Sequence, residues 1–408
     1  MKVLYFHQHF STPRGTSSIR SYQMAQKLIN SGHQVTIICG SYDGADTGLI
    51  DKFNNGVRRG IVDGIQVIEL EIEYSNSQSF LQRTIAFMKY AVKSMGLTIK
   101  EDYDLLFATT TPLTAAIPAI FARWFRFKPY IFEVRDLWPE LPKEMGVITN
   151  PVILGLMSVL EWLAYRNARA LVALSPGIKN GIVRKGVNPD KVALIPNGCD
   201  ISIFGTDDND LWQPDSIADD DFLAIYSGTH GIANGLDNVL NAAAQLKATG
   251  RDNIKIVLIG NGKLKAELVK QAKERELTNV IFLDPVKKSE LSKLMRRADV
   301  GLQVLANIPA FYYGTSPNKF FDYISAGLPV VTNYPGWIAD LISEGNCGKA
   351  VPADDAVAFA DALSFLSDNR NLLPEMGKNS FTLAKSSFDR ELLSDHFVDW
   401  LERWEHKH

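Results

Sequence analysis

Residues 314–331 read GTSPNKFFDYISAGLPVV, and this stretch decides the fold. Ser316 is typical of a helix N-cap, and Pro317 suits the first helical position because its missing N–H needs no partner there. The pattern predicts a short helix from about Asn318 to Ala326, followed by a buried strand from Leu328 to Thr332. We expect this helix to begin at the carboxyl ends of parallel strands, where open α/β sheets bind their ligands.

The start of this helix carries a cation and a carboxylate on one face. Its unpaired N–H groups and its dipole attract anions, and Lys319 adds a full positive charge. Asp322 follows three residues later, on the same side of the helix. A cation for phosphate and a carboxylate for sugar hydroxyls indicate a site for a nucleotide with a ribose. The alternative is an ordinary capped helix on which Lys319 and Asp322 form a surface pair.

The whole stretch also follows the pattern P-(S/N)-K-(L/F)-F-(E/D)-Y-x-A-x-G-x-P-V-V. In this it resembles the donor-binding segment of family four of the retaining glycosyltransferases. The resemblance implies that Asp322 binds the ribose of the donor. Lys319 and the helix start at residues 316–318 would then bind the donor phosphates. The wider family has a second Glu eight residues upstream, where this chain has Gly314.

The composition is that of a globular protein with two domains. The chain has 408 residues, of which 46% are hydrophobic and 22% are charged. Its three cysteines, Cys39, Cys199 and Cys347, are far apart in the sequence, so we expect no disulfide framework. This cysteine content fits a protein of the reducing cytosol. We identify no secretory signal, and no apolar run reaches the ~18 residues that would indicate a membrane span.

The N-terminal half alternates strand and helix, which predicts a parallel sheet. A strand over residues 2–7 is followed by the loop STPRGTSS and by a helix from Ile19 to about Asn30. The loop lacks G-x-G-x-x-G, which argues against an NAD enzyme. Gly15 would let the backbone approach the donor, and the resembling family has a glycine loop here. Arg14 or Arg20 could meet an anion, and we place Arg20 on the acceptor side.

The sequence EVRDLWPE at residues 133–140 places three charged residues around the end of a buried strand. Buried charges are unfavourable unless they are paired or hydrogen-bonded, so this cluster should have a structural or functional role. A structural knot of salt bridges is one explanation. The motif R-D-L-W-P-(E/D) is also a hallmark of the family branch that the chain resembles. The resemblance implies that Asp136 is a catalytic group facing the acceptor hydroxyl and the donor sugar. Arg135 and Glu140 would support it on the acceptor side.

The second half contains two glycine turns, GTHG after a strand at residues 222–227 and GNGK after a strand at residues 254–259. The resemblance places both turns near the donor phosphates and a later segment against the nucleobase. The donor-binding residues predicted there are Asn234, Gly260, Lys263 and Val286. We expect neither a metal nor another cofactor, because no D-x-D stands at a strand end and the pair His7 and His9 lacks a third ligand.

Residues 80–100 are predicted to form a helix with one apolar stripe. The stripe consists of Leu81, Ile85, Met88, Val92, Met95 and Ile99. We expect it to pack on the sheet, leaving Lys89, Lys93 and Lys100 in solvent. The alternative is a membrane-surface helix. The stretch RWFRFK at residues 123–128 adds bases interleaved with aromatics, and residues 1–195 carry a net charge of +6 against −9 for the remainder.

These observations predict an α/β protein of the GT-B fold, with two doubly wound Rossmann-like domains and an interdomain cleft for the sugar nucleotide. The acceptor-side domain is expected at residues 1–200 and the nucleotide-sugar domain at 222–386. An acidic linker or an inserted loop is expected at residues 205–221. A C-terminal helix at residues 387–408 would cross back to the first domain.

The resemblance implies a retaining hexosyltransferase with a UDP-linked donor, and N-acetylated deoxyhexosyl donors are common in this branch. The implied acceptor is a polyprenyl-linked sugar in the synthesis of O-antigen, capsule or lipopolysaccharide. The enzyme would be cytoplasmic and peripheral at the anionic inner face of the plasma membrane, with no nucleic-acid partner. The alternatives are a sugar-nucleotide 2-epimerase of the same fold and a non-catalytic nucleotide-sugar-binding partner.

Overall fold

The computed structural model describes residues 1–15, 18–75, 78–205 and 210–405. The chain divides into two compact units. The first unit consists of Met1–Pro196, Gly314–Ser316 and Glu391–His408, and the second of Asn197–Tyr313 and Pro317–Arg390. The described part of the acidic segment predicted at residues 205–221, which leaves out residues 206–209, belongs to the second unit. Arg297 fixes it there by donating to the carbonyl oxygens of Ala218 at 3.0 Å and Asp221 at 3.2 Å.

The first unit contains an eight-stranded sheet in the order β3-β4-β2-β1-β5-β6-β7-β8. Only β3, which pairs with β4 at the edge, is antiparallel within this sheet. The strands are β1 Lys2–Phe6, β2 Gln34–Tyr42, β3 Val57–Val62, β4 Ile65–Tyr74, β5 Leu105–Thr109, β6 Tyr130–Val134, β7 Ala170–Ala173 and β8 Val192–Leu194. The helices are α1 Arg20–Asn30, α2 Phe80–Lys100, α3 Ala116–Phe125, α4 Glu140–Glu144, α5 Pro151–Asn167 and α6 Pro176–Arg184.

The second unit contains a six-stranded parallel sheet in the order β11-β10-β9-β12-β13-β14. Its strands are β9 Phe222–Ser227, β10 Ile254–Ile259, β11 Val280–Leu283, β12 Val300–Gln303, β13 Val330–Thr332 and β14 Gly348–Ala350. The helices that accompany them are α7 Ile201–Phe204, α8 Leu236–Ala248, α9 Lys265–Glu274, α10 Lys288–Arg297, α11 Pro309–Gly314, α12 Asn318–Ser325, α13 Trp337–Glu344, α14 Ala356–Asp368 and α15 Leu373–Ser387. Both sheets follow the doubly wound strand order, with switch points at β1/β5 and β9/β12. The predicted fold class is therefore confirmed.

The predicted helix is present and begins at Asn318 as expected, but its N-cap is one residue later than predicted. Pro317 is extended, with ψ of 122°, and occupies the N-cap position of α12. Ser316 is therefore not the N-cap, and Pro317 is not the first helical residue. Asn318 opens the helix instead, and Ala326 is its C-cap.

The last helix, α16 Arg390–Glu405, packs on the first unit from Glu391 onward. Lys27 pairs with Asp395 at 2.8 Å, and the Phe397 ring meets the edge of Phe107 with their centroids 5.0 Å apart. The second half of this helix therefore contributes to the core of the first unit.

Helix α2 has the predicted bounds but turns the opposite face inward. The residues that it buries are Ala86, Tyr90, Ala91, Ser94, Leu97 and Thr98. Within the predicted stripe, by contrast, Leu81 is 68% exposed and Val92 is 56% exposed. The expectation that the stripe packs on the sheet is wrong. Small side chains let a helix approach its support closely, and hydropathy alone does not rank two apolar faces of one helix.

No helix in the described part of the chain is long and apolar enough to cross a membrane.

The packing of α2 can be tested with two adjacent residues. Ala91→Leu should destabilise the protein by about 1–3 kcal/mol, because Ala91 is fully buried and the site has no room for three more carbons. Val92→Ser should change the stability by less than about 0.5 kcal/mol, because Val92 faces solvent. Urea unfolding of both variants measures this, and the reverse ranking would mean that the stripe faces the core.

Candidate active site

The turns that follow β9 and β10 pack tightly against each other. Gly260 has a φ of 145°, and a Cβ built on it would lie 1.8 Å from the carbonyl oxygen of Gly228. A Cβ on Gly262 would likewise lie 2.5 Å from the carbonyl oxygen of His230. Gly260, predicted as a donor residue, is thus required by turn-to-turn packing. The two turns form one backbone platform at the carboxyl edge of the sheet.

Lys319, in the first turn of α12, reaches this platform. Its Nζ donates to Oδ1 of Asn234 at 3.0 Å and lies 4.8 Å from the centre of the Tyr226 ring. Burial lowers the pKa of Lys319 to about 8. Among the residues that the structure describes, no carboxylate lies within 4.0 Å of this ammonium group. A desolvated cation beside a glycine turn and a helix N-terminus suits an anionic ligand.

Asp322 is one turn further along α12, and only 8% of it is exposed. Burial raises the pKa of Asp322, and the ammonium group of Lys288, 3.7 Å away, only partly offsets this. Lys288 also donates to Asp200 at 2.7 Å, and Arg390 donates to the other oxygen of Asp200 at 2.5 Å. Burial opposes ionisation of Asp200, yet these two cations outweigh it and lower its pKa to about 2.

Lys288 and Lys265 were not predicted as site residues. Each stands at the start of a charged helix, where a lysine side chain is usually expected to lie in solvent. Lys265 donates to the carbonyl oxygens of Gly260 at 2.8 Å and Leu283 at 2.9 Å, and so joins the turn after β10 to the end of β11. Lys263, which was predicted to assist, is exposed. Val286 lies in the segment between β11 and α10 and is partly buried.

In the first unit, the charges at the end of β6 are organised around Glu133, which is completely buried. Arg20 donates to Glu133 at 2.8 and 3.1 Å, Arg135 donates at 3.1 Å, and the Thr109 hydroxyl donates at 2.7 Å. Burial opposes ionisation of Glu133, but Arg20 and Arg135 outweigh it and lower its pKa to about 2. The knot of salt bridges is therefore real for Glu133 and Arg135.

Arg20 does not face an acceptor, contrary to the expectation. Its side chain is 1% exposed, and its remaining donors contact the carbonyl oxygens of Ile195 at 2.8 Å and Pro196 at 2.6 Å. These hydrogen bonds of the Arg20 guanidinium group are therefore all made to groups in the interior of the protein. Arg135 likewise donates to the hydroxyls of Thr109 and Ser21.

Asp136 lies outside this knot. It is partly buried, and burial raises the pKa of its carboxyl group. Thr111 donates to it weakly, at 3.4 Å. Glu140, the first residue of α4, lies 3.9 Å from the ammonium group of Lys185. Asp136 thus keeps unused hydrogen-bonding capacity, and its acceptor-side role stays a prediction.

The glycine loop after β1 also serves packing. A Cβ on Gly15 would lie 2.2 Å from the Ser11 hydroxyl and 2.7 Å from the Asp46 nitrogen. Thr12 donates to the Asp46 carbonyl at 2.7 Å. The glycine therefore lets this loop approach the segment after β2, and its role in binding the donor stays a prediction.

His7 and His9 follow β1 with ring centroids 6.5 Å apart. Burial lowers the pKa of both residues, and that of His9 falls to about 4. Within the described ranges, no group of three or more His, Cys, Asp or Glu residues is placed to hold a metal ion.

Two protein families match adjoining parts of the chain. The glycosyl transferase 4-like domain matches residues 15–198, and the glycosyl transferases group 1 domain matches residues 208–382. The chain is therefore a glycosyltransferase, with a group 1 domain in its second half and a 4-like domain in its first half.

Two relatives from Escherichia coli illustrate the similarity. The putative colanic acid biosynthesis glycosyl transferase WcaI is 28% identical over 36% of this chain, an alignment that spans 37% of WcaI. O-antigen chain mannosyltransferase C is 24% identical over 79% of this chain and 80% of that protein. Among solved structures, HepE of Anabaena in complex with UDP and glucose superposes with a TM-score of 0.68 at 17% identity, covering 99% of this chain and 100% of HepE. The fold of this glycosyltransferase is therefore GT-B.

The titration of Lys319 generates a prediction. A bound diphosphate raises the pKa of Lys319 above its value of about 8, so binding requires proton uptake once the free group has lost its charge. Affinity for UDP should therefore fall as the pH rises from about 7 to 9. In Lys319→Arg, the affinity for UDP should not change with pH, because a guanidinium group stays charged over this range. Any pH dependence that this variant retains measures the titration of the nucleotide itself. Calorimetric titration measures both, and a flat wild-type profile would contradict an anion at Lys319.

Proposed function

We propose that this protein transfers a hexosyl unit, with retention, from a UDP-linked sugar to a lipid-linked sugar acceptor in the synthesis of a bacterial surface polysaccharide. The two matching glycosyltransferase domains support the reaction class. The names of WcaI and the O-antigen mannosyltransferase support the pathway, and the UDP and glucose bound by HepE support the donor. The observation that carries the proposal is the desolvated ammonium group of Lys319, with the buried carboxyl group of Asp322 one turn away.

In the proposed reaction, the bond between the sugar C1 and the diphosphate oxygen breaks. Lys319 and the N-terminus of α12 stabilise the charge on the departing diphosphate, so no metal is required for that purpose. The acceptor oxygen bonds to C1 on the same face, and its proton passes to the departing phosphate. Asp322 accepts hydrogen bonds from the ribose hydroxyls, and Asp136 orients the acceptor hydroxyl and the donor sugar.

Three variants test this assignment of roles. Asp322→Ala should weaken donor binding by about 2–4 kcal/mol, since a carboxylate hydrogen bond contributes about 1.5–3 kcal/mol and two such bonds are not additive. Lys319→Ala should lower turnover by about 10²–10³. Asp136→Asn should lower turnover while leaving donor affinity nearly unchanged.

The measurements are a thermal-shift panel of sugar nucleotides, followed by turnover with the best donor and a lipid-linked acceptor. Asp237→Asn, an exposed acid on α8, is the matched control for Asp322. Chelator should leave wild-type turnover unchanged. Release of free sugar without any acceptor dependence would favour the epimerase, and donor binding without turnover would favour a non-catalytic partner.

We further propose that the first unit holds the enzyme at an anionic membrane surface. The exposed stripe of α2 does not lie alone, because α3 packs against both α2 and α5. Large apolar side chains on α5 and at the end of α3 are also exposed; they are Val152, Ile153, Leu156, Val159 and Trp162, together with Trp124, Phe125 and, just after α3, Phe127. Exposed apolar surface of this extent marks an interaction site.

The charges of this surface favour lipid head groups. Residues 80–100 and 116–128 contain no acidic residue. Arg126 and Lys128 donate to the carbonyl oxygens of Ile99 at 2.7 Å and Tyr103 at 2.6 Å, so they are less available than expected. The remaining bases are Arg83, Lys89, Lys93, Lys100 and Arg123. Each base near an anionic leaflet contributes about 1 kcal/mol, which gives a loose attachment supported by apolar contact.

Sedimentation with vesicles tests the membrane proposal. Wild-type protein should bind anionic vesicles better than neutral ones, and high salt should weaken the binding without abolishing it. Leu156→Ser combined with Val159→Ser should weaken it by about tenfold or more at every salt concentration, because these apolar contacts are not screened. Val357→Ser, an equally exposed valine on α14, should have no effect. Equal binding to neutral and anionic vesicles would contradict the proposal.

A further inference from the structure

The first unit contains a cavity of about 690 Å³ that none of the roles described above explains. It lies at the carboxyl ends of β2 and β4, which terminate at Tyr42 and Tyr74. The segment 43–49 forms one wall, and Gln78, just before α2, lines another. The volume falls in the range of small-molecule sites, about 300–1,000 Å³.

The floor of the cavity is fixed by a buried carboxylate, Glu69, which is 2% exposed. Arg58 donates to it at 2.8 Å, the Thr47 hydroxyl at 2.5 Å and the Ser41 hydroxyl at 2.9 Å. All four side chains line the cavity. Because they hold one another in place, the shape of the cavity exists before any ligand arrives, which reduces the entropy lost on binding.

Aromatic rings form a second part of the lining. The rings of Tyr42 and Tyr74 lie 5.6 Å apart, and the His9 ring packs on both, at 5.1 and 4.5 Å. In the described residues, Nε2 of His9 is buried without a hydrogen-bond partner. Phe87 of α2 stacks on Tyr74 at 5.2 Å. Of these four rings, Tyr42 and Tyr74 line the cavity, and the others pack behind them. Tyr42 is partly exposed, so its ring offers an apolar surface against which the C–H face of a sugar ring packs.

The charge of the lining selects against phosphate. The lining contains four acidic residues, which are Asp43, Asp46, Glu69 and Glu73. Among the described lining residues, Arg58 is the only base, and it is already paired with Glu69. This excess of negative charge repels a diphosphate. Carboxylates and hydroxyls beside aromatic rings instead suit a ligand with many hydroxyl donors that is neutral or carries an amine.

Two links connect the cavity to the proposed reaction. The wall residue Asp46 is bonded to the loop after β1 through Thr12, so the cavity adjoins that loop. The wall residue Gln78 is followed directly by α2, whose exposed apolar residues begin with Phe80 and Leu81. A molecule with a sugar in the cavity could therefore lay a lipid chain along α2. We propose that this cavity binds a sugar of the lipid-linked acceptor, an inference that rests on the proposed function.

Saturation-transfer NMR on the full chain tests this binding. The probes are glucose, galactose, mannose, N-acetylglucosamine and glucosamine at millimolar concentration, with glucose 1-phosphate as the anionic counterpart. At least one neutral or amino sugar should receive saturation, and glucose 1-phosphate should receive less than glucose. UDP at saturating concentration should not abolish the signal, since UDP would occupy the second unit.

Matched variants locate the site. Tyr42→Ala and Glu73→Gln should each weaken the sugar signal by about tenfold or more, because one removes a ring and the other a charged acceptor. Tyr42→Phe keeps the ring, and Glu71→Gln changes an exposed acid on the same strand that does not line the cavity, so both should bind sugar as wild type does. Melting temperature and UDP affinity confirm that each variant is folded.

The outcomes separate this inference from the proposed function. Absence of saturation for every sugar, or an undiminished signal in both Tyr42→Ala and Glu73→Gln, overturns the cavity as a sugar site. If wild-type protein fails to bind any sugar nucleotide but the sugar signal depends on Tyr42 and Glu73, the proposed donor is wrong and the cavity still binds sugar. Loss of transfer in Glu73→Gln at unchanged UDP affinity supports the assignment to the acceptor.

Discussion

The first unit depends on the ion pair between Glu133 and Arg20. A carboxylate that is completely buried is costly unless it is paired and hydrogen-bonded, and removing one partner of such a pair typically costs about 3–5 kcal/mol. Glu133 lies at the end of β6, Arg20 opens α1, and the carbonyls that Arg20 also contacts belong to Ile195 and Pro196. One charge cluster thus joins the beginning, the middle and the end of the unit. The same cluster holds Arg135, whereas Asp136 and Glu140 of that motif lie outside it, and the acceptor-side role of Asp136 remains a proposal.

In the second unit, the buried charge of Lys319 has no ionic partner among the described residues, unlike the buried charge of Glu133 in the first unit. Asp200 has two cationic partners, and Lys265 has two carbonyl oxygens and the carboxylate of Asp284. Lys319, by contrast, has an amide oxygen and an aromatic ring, which do not neutralise its charge. Burial of an uncompensated cation lowers its pKa and is unfavourable in the free protein. An external anion would remove that cost, which is why we propose this lysine, rather than its better-paired neighbours, as the residue that binds the diphosphate.

Local patterns in the sequence were sufficient to predict the parallel sheets and the helix bearing Lys319 and Asp322. They were insufficient wherever the deciding partner is distant in sequence. Arg20 and Glu133 are 113 residues apart, and Asp200 and Arg390 are 190 apart, so neither pair leaves a local signature. The inward face of α2 was misassigned for a different reason: both of its faces are apolar, and the size of Ala86 and Ala91 decided which one packs. Gly15 was predicted from a local glycine loop, but its close contact with the Asp46 segment is not visible in that pattern.

The surfaces of the first unit differ in a way that fits a lipid-linked acceptor. Such a molecule has an apolar chain, a phosphate and a sugar, and the unit has an apolar stripe on α2 and α5, bases on α2, and an acidic, ring-lined cavity. The cavity adjoins the N-terminus of α2, and the bases of that helix begin with Arg83, four residues after Ser79, a rise of about 6 Å along the helix. A sugar in the cavity would therefore place its phosphate beside Arg83, away from the carboxylates that would repel it.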